Sequence, residues 1–281
     1  MDSATDRLER YRAIAAQATQ DALAFPTSAE LCLRIKRLLD DPNCALDRVA
    51  KLVQAEPLLA ARVVAMANSI VYNRAGRQIA DIRVAVTRLG LRTLRSLALS
   101  QLVRQLANQP SDPRLQQLAR LLWEHTANAS ALAFVLARRV THQDPEAALF
   151  AALLHEVAGF YLIAHAAAVP EWQGGPPPDW QDEGEVVVGR ALLVQLEVPT
   201  EIRTAIEEMW EGYLAIPPVS LGDTLLLAEA LAPIPSPLYW RPEGADAAGR
   251  SRIEIVLDRE TLSSILAESA AEVRSLTEAL Q

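Results

Sequence analysis

Apolar residues recur along this chain at spacings of three and four almost throughout, and alternation at spacing two is nearly absent. That pattern writes amphipathic helices and no sheet, since only a 3.6-residue period brings such positions onto one face. The single strand-like run is Ile253 to Leu257, which would stand alone. The first helix is expected over Ser3 to Asp21. The second follows Phe25-Pro26, where Thr27 and Glu30 have the form of a capping box, and Pro42 closes it. Helices over Leu46 to Ala55 and, after Glu56-Pro57, over Leu58 to Ser69 come next, with proline at the first helical position. Ile79 to Leu89 forms another and stops at Gly90, the expected left-handed cap, before Leu91 to Asn108 resumes with Arg92 and Arg95 exposed.

Two matching starts, Asp112-Pro113 and Asp144-Pro145, place a long helix over Pro113 to Val140 against a second over Pro145 to Ala168. The core of the latter, AALFAALLHEVAGFYLIAHAAA, is apolar nearly all the way round and therefore belongs at the centre of the fold. Pro170 to Trp180, with two glycines and three consecutive prolines, reads as a surface excursion. Helices resume over Glu183 to Leu196, Thr200 to Trp210 and Ser220 to Leu231. A proline-rich linker over Pro233 to Arg250 then leads to a last helix, Asp258 to Leu280, that docks on the body or on a partner. The fold class is all-α. Residues 1–110 form an N-terminal helical subdomain, 111–232 a helical bundle, and 233–281 a linker with the C-terminal helix.

Composition sharpens this. At 281 residues with 51% hydrophobic content the chain can fill a large core. A net charge of −8 argues against a nucleic-acid partner. The start is charged and amphipathic, unlike a signal peptide, and no twenty-residue stretch is free of polar interruption, so the expected location is cytoplasmic, without a membrane span. Cys32 and Cys44 lack any metal or redox spacing and are expected as free thiols.

Candidate chemistry gathers on four histidines. His125 and His155 lie on consecutive helices joined by a tight turn, so antiparallel pairing can bring the rings together, and Glu156 adds a carboxylate. The helical neighbours of His155 are Ala151, Ala152, Ala158 and Gly159, small enough for a metal, a ligand or another helix to approach it closely. A hydrolytic metal site would need a third ligand and an open position. His142 is expected in solvent, and His165 at a helix C-terminus as a cap. The series Arg83, Arg88, Arg92, Arg95 reads as a solvated helix face. No phosphate loop, GxSxG elbow, HExxH or CxxC framework is present.

These residues resemble the HDOD domain, a signalling relative of the HD phosphohydrolases. The likeness is carried by VAKLVQAEPLLAARVVAMANSIVYN, with Glu56-Pro57 where the family usually has Asp-Pro. It continues in IADIRVAVTRLGLRTLRSLAL, WEHTANASALAFVLA, LLHEVAGFYLI and VVVGRALLVQLEVPTEIRTAIEEMW. The resemblance implies an HD-like bundle in which His125, His155, Glu156 and Glu229 occupy the HD ligand positions, with glutamates in place of both aspartates. Glu208-Met209-Trp210 stands where many relatives carry paired histidines. It further implies a degenerate pocket holding no resident metal or other cofactor, and a non-enzymatic role in bacterial signalling or scaffolding. A signalling protein, or a nucleotide or other small anion bound through the Arg92 or Arg95 region, would be the partner. The alternative is a metal-dependent phosphohydrolase acting on a nucleotide or cyclic dinucleotide.

Overall fold

The structure, a computed structural model, describes residues 4–20, 27–41, 44–107, 110–166, 172, 176, 180–239 and 259–281. All regular elements among them are helical. Five helices come first: α1 (Ala4–Gln20), α2 (Thr27–Leu39), α3 (Leu46–Gln54), α4 (Pro57–Asn68) and α5 (Ile82–Ala107). Then follow α6 (Pro113–Leu136), α7 (Pro145–Leu154), α8 (Val157–Ala164), α9 (Glu185–Gln195), α10 (Thr200–Glu211), α11 (Leu221–Leu231) and α12 (Arg259–Leu280). Single π-helical turns at Ala137–Thr141 and Trp180–Gly184 extend α6 and precede α9.

Several starts are made as the side chains foretell. Glu56 accepts from the Leu59 amide ahead of Pro57, Asp112 from Arg114, and Asp144 from Glu146 and Ala147. Ser220 and Asp223 form a reciprocal capping box at α11. The capping-box side chains at Thr27 and Glu30, with Pro42 and the Ile253 to Leu257 run, lie outside the described residues.

α5 is the spine of the N-terminal half, with α2, α3 and α4 packed along it, and its far side meets α7 and α8. It starts at Ile82, three residues later than the apolar period suggests, because Asp81 caps it by accepting from the Val84 amide. Gly90 interrupts it without ending it: at φ 74°, ψ 171° it sits outside the left-handed helical region expected, in the extended mirror region that essentially only glycine enters. Arg92 is exposed, but Arg95 is half-buried, donating to the Leu39 carbonyl and pairing with Asp40 at 2.7 Å.

In the second half, α6 lies against α7, with alanines such as Ala127, Ala131, Ala148 and Ala151 buried between them. Small side chains let the two backbones approach closely, and so bring their histidines within reach of each other. Pro145 to Ala164 is apolar and long enough to cross a membrane, but 94% of it is buried inside the fold. α12 docks on the body, laying Leu276 and Leu280 against α6 and α4, and Arg138 pairs with Glu272. α1 leaves the N-terminal half to pack on α9, where Tyr11 meets Trp180 edge-on at 5.9 Å. Trp172 and Trp180 are fully buried and pack edge to face at 4.8 Å. Trp172 and Trp180, foreseen in a surface excursion, are therefore core residues, because their rings find more apolar surface inside than solvent offers.

Candidate functional site

The central helix predicted from Ala147 to Ala168 is two helices. α7 ends at Leu154, and Glu156 sits at φ −96°, ψ 14°, a bridge conformation, before α8 begins at Val157. Consecutive residues of an unbroken helix point about 100° apart. The break at 155–156 lets both His155 and Glu156 face the same interior space.

That space gathers the four residues the sequence nominates. The Nε2 atoms of His125 and His155 are 3.4 Å apart. Glu229 Oε2 lies 2.8 Å from His125 Nε2 and 3.6 Å from His155 Nε2, and Glu156 Oε1 lies 4.0 and 3.9 Å from the same two nitrogens. His125, His155 and Glu156 are at most 2% exposed.

The outer nitrogen of each ring faces a backbone carbonyl: His125 Nδ1 meets Ile234 O at 2.8 Å and His155 Nδ1 meets Ala152 O at 2.6 Å. A carbonyl only accepts, so each Nδ1 carries the proton and donates it. Both Nε2 atoms are then turned inward, toward each other and toward the carboxylates. Such an arrangement of acceptors must hold protons or a cation. Burial disfavours charge on both rings, yet Glu229 outweighs it and their pKa values are raised above the ordinary 6.5. Glu229 is held below the usual carboxylate range, its burial overcome by the two histidines. Glu156 goes the other way, since burial lifts it more than the rings and the Ser236 hydroxyl lower it.

A divalent ion fits the donor set. Two imidazole nitrogens bound at about 2.0–2.1 Å around a tetrahedral ion stand about 3.4 Å apart, the separation found here. Carbonyl-anchored Nδ1–H groups are the usual outer support of metal-binding histidines. Glu156 Oε2 is buried with no hydrogen-bond partner. His125, His155, Glu156 and Glu229 would hold the ion.

Access is the constraint. The stretch following α11, foreseen as the start of a surface linker, folds back over the cluster through Tyr239. Ile234 supplies the carbonyl to His125, and the Ser236 hydroxyl donates to Glu156 Oε1 at 2.6 Å. Leu238, 2% exposed, fills the gap over Gly159, where an added Cβ would lie 2.2 Å from its Cδ1. The small-residue approach beside His155 is thus occupied by the chain itself. Beyond it, the Tyr239 hydroxyl donates to Glu185 at 2.8 and 3.1 Å, and Glu185 is 1% exposed with its pKa pushed well up by burial and by Glu156.

Sequence reasoning missed Ser236, Tyr239 and Glu185. For Glu185 a signal existed, because it shares a helical face with the buried Val188, Gly189 and Leu192. For Ser236 and Tyr239 no local pattern exists. His142 is exposed and ends the π-helical turn after α6, and His165 caps α8 with Nδ1 on the Tyr161 carbonyl at 2.8 Å. The arginine series is committed elsewhere: Arg83 to Asp47, Arg88 to the Tyr72 carbonyl, Arg92 to Asp144 and Arg95 to Asp40.

The family model of the HDOD domain matches residues 25–172. Among solved structures, a candidate metal-dependent phosphohydrolase from Shewanella amazonensis SB2B superposes with a TM-score of 0.70 at 20% identity, covering 97% of this chain and 98% of that one. An HDOD domain protein with unknown function from Geobacter sulfurreducens gives 0.61 at 23% identity, covering 98% and 99%. A candidate signal transduction protein from Marinobacter aquaeolei VT8 gives 0.55 at 19% identity, covering 99% of this chain and 67% of that one. At these identities the likeness is one of fold. No curated protein matches the chain.

Proposed function

Given that this chain belongs to the HDOD domain family, we propose that it is a non-enzymatic regulatory protein of bacterial signalling, acting through a protein or small-ligand contact, with its HD-type pocket kept as a closed structural core. The closure over the histidines is the observation that carries this reading. The Ile234 carbonyl engages His125, the Ser236 hydroxyl engages Glu156, and Leu238 fills the space over Gly159, so the chain itself occupies the approach to the cluster. The test is to incubate purified protein with Mn²⁺ or Mg²⁺ and a panel of nucleotides and cyclic dinucleotides while measuring metal content. Turnover that disappears in His155→Ala overturns the proposal.

One observation favours a second reading. The two carbonyl-anchored imidazoles at metal-compatible separation suit a metal-dependent phosphohydrolase, in which a bound divalent ion would supply Lewis-acid activation of water. In that case His125, His155, Glu156 and Glu229 hold the ion, and residues 232–239 must move aside for substrate. Stoichiometric metal in the purified protein, lost in His125→Ala, is its expected result.

A further inference from the structure

The net charge of −8 hides a division along the chain. From Arg48 to Arg104 stand ten arginines or lysines and two acids, a local charge of +8, while the rest of the chain carries −16. The fold gathers much of that excess on one face. Arg83 meets Asp47 at 3.3 Å, which sets the start of α3 beside the start of α5. Arg88 donates to the Tyr72 carbonyl at 3.0 Å, which sets the loop between α4 and α5 beside the same helix. Arg48 and Lys51 of α3, Arg74 and Arg77 of the loop, and Arg83 and Arg88 of α5 are all exposed there.

Three acids, Asp41, Asp47 and Asp81, stand beside these six cations and do not cancel them. Asp81 caps α5, and the Asp47–Arg83 pair is 63% exposed on both sides, where such a contact contributes little. Arg88 keeps its charge, because its acceptor is a neutral carbonyl. Lys51, Arg74 and Arg77 have no side-chain partner among the described residues. Aliphatic surface lies among the cations. Val84, next to Arg83 and one helical turn before Arg88, is 50% exposed, and Leu46, next to Asp47, is 38% exposed. No aromatic side chain of this face is exposed among the described residues. A nucleic-acid backbone gains nothing from Val84 and Leu46, and unpaired bases need an aromatic platform to stack on. An anionic bilayer uses both features, since its phosphates suit guanidinium forks and its interface accepts aliphatic side chains.

From this juxtaposition we infer that the face formed by α3, the loop before α5 and the first half of α5 docks peripherally on an anionic lipid surface. The six cations meet headgroup phosphates, and Val84 and Leu46 reach the boundary with the acyl chains. The acidic remainder of the chain does not prevent this, because at physiological salt charges more than about 8 Å apart are largely screened. No membrane-spanning segment is involved. The face is separate from the pocket around His155, and its test does not depend on whether that pocket turns over a substrate.

The full chain is sedimented with vesicles of equal parts phosphatidylglycerol and phosphatidylcholine, and with vesicles of phosphatidylcholine alone. Expected is binding to the mixed vesicles only, weakened about tenfold or more as salt rises from about 0.1 to about 0.5 M. One cation at such a surface changes affinity about fivefold, so the double variants Arg74→Gln/Arg77→Gln and Arg48→Gln/Lys51→Gln should each weaken binding about 25-fold. Val84→Ser, which leaves the charge unchanged, should weaken it about threefold. Arg120→Gln on α6, whose partners are on its own helix, leaves it unchanged. Circular dichroism checks the fold, and the two double variants lie on different elements, so one decides the matter if the other unfolds. Absence of binding to the mixed vesicles at about 0.1 M salt overturns the inference, as does equal binding to phosphatidylcholine alone. Tighter binding to a duplex oligonucleotide than to vesicles, lost in the double variants and untouched by Val84→Ser, overturns it in favour of nucleic acid. Self-association abolished by the same double variants overturns it in favour of a second copy of the chain.

Discussion

Ser236 and Glu156 lie eighty positions apart, yet the serine hydroxyl rests 2.6 Å from the glutamate oxygen inside the closed core. This bond fastens the stretch after α11 to the break between α7 and α8. It holds the covering segment in place over the histidines and gives a buried carboxyl a donor it would otherwise lack.

Ser236→Ala is expected to destabilise the fold by about 1–3 kcal/mol, because Glu156 then loses a hydrogen-bond donor where water cannot replace it. Urea unfolding at neutral pH checks this. Ser236→Thr, which keeps a hydroxyl, should recover part of the loss.

Gly159→Ala should unseat the same covering segment from the other side, since the new methyl group meets Leu238 Cδ1 at 2.2 Å and Leu122 Cδ2 at 3.3 Å. Proteolysis or amide exchange over residues 232–239 is expected to rise. Trimming the obstacle with Leu238→Ala should relieve it, giving a non-additive coupling of about 0.5–3 kcal/mol in the double variant.

Stability should fall as pH rises above 4.5, and more steeply above 6.5. Burial lifts the carboxyl groups of Glu156 and Glu185 above their ordinary 4.5, so once the unfolded chain has released those protons, folding must retain them at a cost. His125 and His155 act in the same sense: their raised pKa values stabilise the fold fully below 6.5, and the contribution is lost as pH climbs through the folded values. Glu229, held low, opposes this only in acid, where its contribution is lost as pH falls below 4.5 toward its folded value. Glu185→Gln, which mimics the protonated acid accepting from Tyr239, should flatten the alkaline decline measured by urea midpoints.

Glu229→Gln should be among the most damaging single changes in the cluster. It removes the anion beside two buried rings whose charge it supports, and breaking a buried pair this way costs about 3–5 kcal/mol. The loss should shrink at high pH, where both histidines are neutral in either protein.

Gly90→Ala isolates backbone strain, because a Cβ there meets nothing within 4 Å while φ stays at +74°. A loss of about 1–3 kcal/mol in thermal or urea unfolding is expected, with no change in the histidine cluster.

The sequence by itself determined the helices, because proline, capping residues and apolar spacing act within a few positions of one another. Asp112-Pro113, Asp144-Pro145 and Ser220 through Asp223 sit where their local chemistry places them. It also determined the meeting of His125 and His155, since two alanine-rich helices joined by a short turn can hardly pack otherwise, and the family likeness added Glu229. Only the tertiary structure decided that the apolar run breaks at Glu156, because that kink is selected by what both side chains gain in a common interior and not by helix propensity. The same holds for the covering segment. Pro233, Ile234, Pro235, Ser236 and Pro237 have the composition of a linker, and nothing in their local spacing registers a carbonyl for His125 or a hydroxyl for Glu156. Those partners lie about a hundred residues away, and a long-range hydrogen bond leaves no periodic trace in the chain that makes it.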